Sequence, residues 1–181
     1  MMEPEKELLI LVVEKKKKPK YLFLVRFLLK LICICLVVYL LLSYVLCLYR
    51  MTGNHMFPSI RDGDFCILYR LDDYHSNDVI LYEDANQSVH MGRIVAVANQ
   101  TVDFPEEGGY LVNGYQPTEE ITYPTYVDDT KNVSYPLTLS DGECFVMNDF
   151  RSDTKDSRQF GAIKTSQIKG KLIFMLRRRG F

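Results

Sequence analysis

The chain has 181 residues, 48% of them hydrophobic, and a net charge of −1; that is enough for one membrane anchor and one modest domain. The charge is unevenly placed: residues 1–50 carry nine Lys and Arg against four Glu, and residues 51–181 carry thirteen against nineteen Asp and Glu. An acidic larger part excludes a nucleic-acid-binding domain, and the chain has no zinc-type cysteine spacing, no glycine-rich phosphate loop and no internal repeat.

In chain order, residues 1–30 form a basic segment with Lys15, Lys16, Lys17, Lys18 and Lys20, then Arg26 and Lys30. Residues 31–49 follow, nineteen in a row without a charge, with Ser43 the only small polar residue. At 1.5 Å per residue such a run just spans a bilayer core of about 30 Å, and residues 31–49 are therefore expected to be a transmembrane helix. The apolar stretch from Tyr21 to Lys30 extends it if Arg26 and Lys30 snorkel to the headgroups. The run ends in Leu46-Cys47-Leu48-Tyr49-Arg50 without a small-x-small cleavage site, which favours an uncleaved anchor over a removable signal peptide. Basic residues precede the span and only Arg50 closely follows it, so the positive-inside rule places the N-terminus in the cytoplasm and residues 51–181 outside. The lysine run is either a solvated tail or a contact to anionic lipid.

From residue 61 onward the pattern is one of short strands, each rich in Val, Ile, Tyr or Phe and bounded by Gly, Asn, Asp or Pro. Strands are predicted over 65–69, 78–82, 90–97, 110–112, 143–147 and 168–175, with no amphipathic helix of useful length after residue 50. The fold class is therefore mainly β: an antiparallel β-barrel or sheet domain following one N-terminal transmembrane helix. Residues 103–143 differ in composition, with nine acidic residues against Lys131, four of the seven prolines and many tyrosines. They are expected to form an acidic insertion or hairpin, read first as a solvated surface and second as a docking face for a basic partner. The end, Arg177-Arg178-Arg179, either lies on anionic headgroups or frays. Cys66 and Cys144 lie outside the span; they are expected to be free buried thiols, although an oxidising exterior would permit a bridge.

The segment Gly53-Asn54-His55-Met56-Phe57-Pro58-Ser59-Ile60 resembles the Gly-x-Ser-Met-x-Pro-[Ser/Thr]-[Leu/Ile] box of type I signal peptidases, with histidine where that family has its nucleophilic serine. Gly92-Arg93-Ile94-Val95 resembles the Lys-Arg-[Val/Ile]-[Val/Ile] box, with glycine in place of the general-base lysine. Asn148-Asp149-Phe150-Arg151-Ser152-Asp153-Thr154-Lys155-Asp156-Ser157-Arg158-Gln159-Phe160-Gly161 is similar to Gly-Asp-Asn-Arg-x-x-Ser-x-Asp-Ser-Arg-x-Phe-Gly. Asp149, Arg151, Asp156, Ser157, Arg158, Phe160 and Gly161 agree with it, and Asn148, Phe150 and Thr154 depart from it.

The resemblance implies a signal-peptidase-like β domain whose cleft is built by Gly53, Met56, Pro58, Ser59, Arg93, Asp149, Arg151, Thr154, Asp156, Ser157 and Arg158. In active members a lysine kept neutral by burial activates the serine. With His55 and Gly92 at those two positions the chain is expected to have no catalytic residues, no metal and no cofactor. It also resembles the signal-peptidase-like proteins of Gram-positive pilus loci, which assist sortase-dependent pilus polymerisation. The function expected on that resemblance is a non-catalytic assembly factor or chaperone that engages pilin subunits or the sortase. The alternative is an active type I signal peptidase that cleaves preproteins with relocated catalytic residues. His90 shares a strand face with Gly92, so His55 and His90 either share a proton or a metal ion or, the reading favoured, are unrelated.

Overall fold

The computed structural model describes residues 20–118, 123–127 and 133–177. Lys15, Lys16, Lys17 and Lys18, the acidic Glu119, Glu120, Asp128 and Asp129, Lys131, and Arg178 and Arg179 lie outside the described residues. The chain divides into two compact units, Met1–Leu40 and Leu41–Phe181.

The first unit contains helix α1, Lys20–Leu40. The uncharged Leu, Ile, Val and Cys of its second half give it no polar face to turn toward a soluble core, and its large apolar side chains are exposed along its whole length. Together with the π-helical turn Leu41–Val45 the apolar helical stretch covers Tyr21–Val45, 25 residues, or about 37 Å at 1.5 Å per residue. That is long and apolar enough to cross a bilayer. The helical stretch thus starts ten residues before the 31–49 expected from the uncharged run, taking in the extension from Tyr21 to Lys30, and ends four residues short of it, because Leu46–Arg50 is not helical. It forms strand β1, paired antiparallel with Phe65–Tyr69, from Leu46 opposite Tyr69 to Arg50 opposite Phe65. Hydropathy alone cannot find this boundary: the apolar run continues through it, while the alternation that marks a strand covers only Leu48 and Arg50 outward and Cys47 and Tyr49 inward.

The second unit is antiparallel β. Its main strands are β2 (Phe65–Tyr69), β3 (Val79–Glu83), β4 (Val89–Ala96), β8 (Glu143–Met147), β9 (Ile163–Lys164) and β10 (Ile168–Leu176). With β1 they make a seven-stranded sheet in the order β1-β2-β10-β3-β4-β8-β9. β5 (Thr101–Asp103), β6 (Leu111–Val112) and β7 (Leu137–Thr138) form a separate small sheet, ordered β6-β5-β7. After residue 50 the described helices are the single turn α2 (Ser157–Phe160) and a 3-10 turn at Thr165–Gln167.

The sheet buries one apolar cluster around Met51, Met56, Ile60, Leu68 and Met91, and a second around Ile80, Tyr82, Ile94, Val146 and Ile163. Alternation on β4 explains the division: Met91 points into the first, while Gly92 and Ile94 lie on the face of the second. A third cluster, with Val102, Tyr110, Leu139 and Phe145, joins the small sheet to β8. Cys66 lies in the first cluster and Cys144 in the second; both are buried free thiols, which burial pushes up to about 11 and about 12 respectively.

β10 is held between β2 and β3, and its register slips against each of them. At Gly170 the neighbouring backbone comes so close that an added Cβ would sit 3.0 Å from the Tyr69 carbonyl oxygen and 3.1 Å from the Leu68 Cβ. Gly170→Ala is therefore expected to force β10 away from β2 and to lower stability by about 1–3 kcal/mol, read as a lower midpoint in thermal unfolding of the detergent-solubilised protein.

Candidate functional site

The turn after β1 carries the first of the three boxes, residues 53–60. Met56 and Ile60 are sunk in the first apolar cluster, and backbone bonds from Phe57 N to Asn54 O (3.0 Å) and from Ile60 N to Met56 O (2.9 Å) close the loop between them. Gly53, at φ +81°, donates its N–H to Asp62 Oδ1 at 2.8 Å, which folds the Arg61–Asp64 turn back over the start of the box. Phe57–Pro58 is a cis peptide. His55 is thereby held half-buried, its carbonyl accepting from Phe150 N at 2.9 Å and its ring beside Gly53, whose added Cβ would meet Nδ1 at 3.4 Å. Its Nε2 is buried without a hydrogen-bond partner among the described residues. Burial lowers the His55 pKa from its ordinary 6.5; Asp153 opposes that shift and His90 adds to it.

Gly92 sits on β4 opposite Ile80 of β3. The space a side chain would take there is filled: an added Cβ would stand 2.5 Å from Val146 Cγ1 and 3.4 Å from both the Met147 carbonyl oxygen and Tyr82 Cε1. The next residue, Arg93, joins the three boxes. Its Nε and Nη2 each donate to one oxygen of the buried Asp149 at 2.8 Å, its Nη1 donates to the Asn77 carbonyl at 2.9 Å, and Nη2 reaches Ser59 Oγ at 3.4 Å. A forked guanidinium suits this role, since its donors lie in one plane and match a carboxylate in pairs.

The third box folds around a second forked pair. Asp156 caps α2, accepting from Arg158 N at 3.0 Å, while Arg158 Nε and Nη2 bond its two oxygens at 2.9 and 2.6 Å. The same carboxylate accepts from Asn148 N at 2.9 Å, and Arg158 continues to the carbonyls of Arg151 and Asp153, each at 2.7 Å. The Ser157 hydroxyl accepts from Val146 N at 3.0 Å, holding the strand whose side chain stands against Gly92. Arg151 is buried, its Cζ 5.4 Å from the Tyr110 ring centre. The Thr154 carbonyl accepts from Asp156 N at 2.8 Å; its hydroxyl makes no hydrogen bond among the described residues.

Arg93 thus ties Ser59 of the first box to Asp149 of the third, the bond from Phe150 N to the His55 carbonyl ties the same two boxes again, and Asp156 with Arg158 gathers Asn148, Arg151 and Asp153 within the third; Gly53, Met56, Pro58, Thr154 and Ser157 lie in these same boxes. One expectation, that for Arg177, is corrected. His55 and His90 share no proton: His90 Nε2 pairs with Asp84 Oδ2 at 3.1 Å, and its ring lies between Tyr82 and Phe160 with centroid distances of 5.7 and 5.8 Å. Among the described residues no cluster of three or more His, Cys, Asp and Glu could hold a metal. Arg177, expected on lipid headgroups or in a frayed tail, donates to the Ser59 carbonyl at 2.8 Å and pairs with Asp64 at 3.5 Å, so β10 ends tied to the first box. Asp84, Tyr82 and Val146 were not evident beforehand. The available signal for Asp84 was an acidic residue six before His90, across a tight hairpin; nothing local marks Val146 as the neighbour of Gly92.

On the outer face of β1, β2 and β10, Leu48, Phe65, Phe174 and Leu176 are each more than half exposed and lie side by side through the pairings Leu48–Ile67–Phe174 and Arg50–Phe65–Leu176. Exposed apolar strips of this kind commonly mark contact surfaces in proteins.

A β frame that brings these three boxes together defines a signal-peptidase-like protein. Residues 24–176 match the family model described as signal peptidase, peptidase S26, and the chain belongs to that family. It is similar to signal peptidase I V of Bacillus subtilis, at 26% identity over 136 residues, which cover 67% of this chain and 80% of that protein. It is also similar to signal peptidase IB of Staphylococcus aureus, at 25% identity over 150 residues, 73% of this chain and 78% of that one. A crystal structure of a signal peptidase I from Enterococcus faecalis covers 56% of this chain and 98% of its own, with 22% identity and a TM-score of 0.48.

Removing the Arg93 guanidinium leaves Asp149 buried as an unpaired charge, so Arg93→Ala is expected to cost about 3–5 kcal/mol, measured by denaturant unfolding against the wild type. His55 gives a pH test. Its folded pKa lies below 6.5, so its contribution to stability is full above pH 6.5 and is lost as the pH falls through the folded value. The drop in melting temperature between pH 7.5 and pH 5.5 is expected to be smaller in His55→Gln than in the wild type.

Proposed function

We propose that this protein is a membrane-anchored member of the signal peptidase family that binds polypeptide without cutting it, and that it assists sortase-dependent pilus polymerisation by holding pilin subunits or the sortase. The observation that carries this reading is the pair of positions His55 and Gly92. Acyl transfer by this family's chemistry requires a hydroxyl and an adjacent neutral amine. At position 92 there is no side chain at all, and Val146 and Tyr82 stand where one would project. The binding frame is kept intact around that gap, with both forked Arg–Asp pairs made. A frame retained without its reacting groups suits a protein that captures an extended segment, since strand addition uses main-chain bonds and no nucleophile. The partner follows from the resemblance to the proteins of Gram-positive pilus loci. The basic residues that precede the span support a cytoplasmic N-terminus and a β domain outside, by the positive-inside rule.

One observation favours the alternative, an active peptidase with relocated residues: Asp84 and His90 form an oriented carboxylate–imidazole pair, which is how a general base is commonly held. The two readings separate in one assay. The full-length wild type in detergent is expected to leave a preprotein uncut over a day; cleavage that disappears in His90→Gln or Thr154→Val establishes the alternative. Restoring serine and lysine through His55→Ser with Gly92→Lys is expected to remain silent, or to unfold, unless Val146→Ala makes room for the lysine stem. In the cell, deletion of the gene is expected to abolish or shorten the ladder of covalent pilin polymers on an immunoblot. A ladder identical to the parent strain's refutes the assembly role.

A further inference from the structure

Beside His55, Asn54, Phe57, Arg61 and Phe150 line a cavity of about 330 Å³, at the small end of the range of about 300–1,000 Å³ that ligand sites occupy. Its walls are two aromatic rings. Phe57 is half-buried and Phe150 is 39% exposed, and Phe150 is placed by the bond from its N–H to the His55 carbonyl. The Arg61 guanidinium lies over Phe57, with Cζ 5.5 Å from the ring centre, is exposed, and makes no ion pair among the described residues. The neighbouring carboxylates are engaged elsewhere: Asp62 accepts from Gly53 N, and Asp64 accepts from the Arg61 backbone N–H and pairs with Arg177. The side-chain oxygen of Asn54 accepts from Asp62 N at 3.3 Å, so its amide NH₂ is the polar group left for a ligand. Phe150 stands where the signal peptidase pattern has asparagine, so one wall of the groove departs from that pattern.

Two aromatic walls with a cation and an amide donor at the rim fit a particular chemistry. A large apolar side chain fills the space between the rings, and a carboxylate beside it meets the guanidinium, with which it makes a charge-assisted pair. A basic segment meets like charge at the same place. We propose that this groove is a docking site for an extended acidic peptide segment that inserts one large apolar side chain between Phe57 and Phe150 and places an adjacent carboxylate on Arg61. This rests on the reading that the protein holds polypeptide without cutting it, and it names the class of segment held.

The test uses the full-length protein in detergent micelles and three fluorescein-labelled peptides with identical Gly-Ser flanks, differing only in a central Phe-Asp, Phe-Lys or Ala-Asp. By fluorescence polarisation the Phe-Asp peptide is expected to bind at least about tenfold more tightly than either of the others. Arg61→Ala is expected to erase the preference for Asp over Lys, and Arg61→Lys to keep it. Phe150→Asn is expected to erase the preference for Phe over Ala. Both side chains are exposed, and melting temperatures within a few degrees of the wild type verify that the variants are folded. Equal binding of the three peptides, no binding of the Phe-Asp peptide, or preferences that survive these substitutions overturn the proposal. The pilin ladder of the deletion strain is a separate readout: an unchanged ladder sinks the assembly role without touching the groove, and a failed peptide preference sinks the groove without touching the assembly role.

Discussion

The geometry around His55 depends on one buried interaction, the forked pair between Arg93 and Asp149. Arg93 comes from the middle of the sheet and Asp149 from the loop after β8, 56 residues later, and the same guanidinium reaches Ser59 in the turn after β1. A buried ion pair contributes little net stability against an apolar pair of the same shape, but breaking it is costly. Its effect here is to specify geometry: the turn with His55 and the loop with Phe150 can occupy only one position relative to β4. The bond from Phe150 N to the His55 carbonyl then closes the arrangement. Asp156 and Arg158, both fully buried, do the same within the third box, fixing Asn148, Arg151 and Asp153 through backbone bonds.

Much of this was legible in the sequence, for identifiable reasons. Strands β2 and β8 fall where β-branched and aromatic residues run between turn residues, and their limits match those expected at 65–69 and 143–147. β1 was hidden because Leu46–Arg50 continues the apolar run of the helix. Its strand character comes from pairing with β2, a tertiary contact that no local pattern encodes. β5, β7 and β9, of two or three residues each, exist only through their partners.

The residues of the cleft were legible as types and not as contacts. Asp156 and Arg158 are two apart in sequence and their pairing is nearly dictated by that spacing. The partnership of Arg93 with Asp149 follows only once β4 and β8 are neighbours. The same holds for Val146: on its own strand it is an ordinary core valine, and only the register Ile94 opposite Val146 brings its methyl group over Gly92. The tyrosines and acids of 103–143 were legible as a compositional break, while the role of Val102 and Tyr110 in closing a third apolar cluster with Phe145 required the fold.

The position of β10 has a consequence for how the domain comes to exist. The last strand in sequence is not at an edge of the sheet but in its interior, between β2 and β3. Until residues 168–176 arrive, the two halves of the sheet present open edges to each other and cannot join, and the first box lacks its tie through Arg177. A chain made from its N-terminus therefore stays unable to complete this sheet until residues 168–176 have been synthesised. If the domain is exported, it crosses the membrane as an unfolded thread, and its helix is already seated before the sheet can close. The open edges exposed in that interval are the kind that pair with other chains, so the speed with which β10 inserts sets how long they stay exposed.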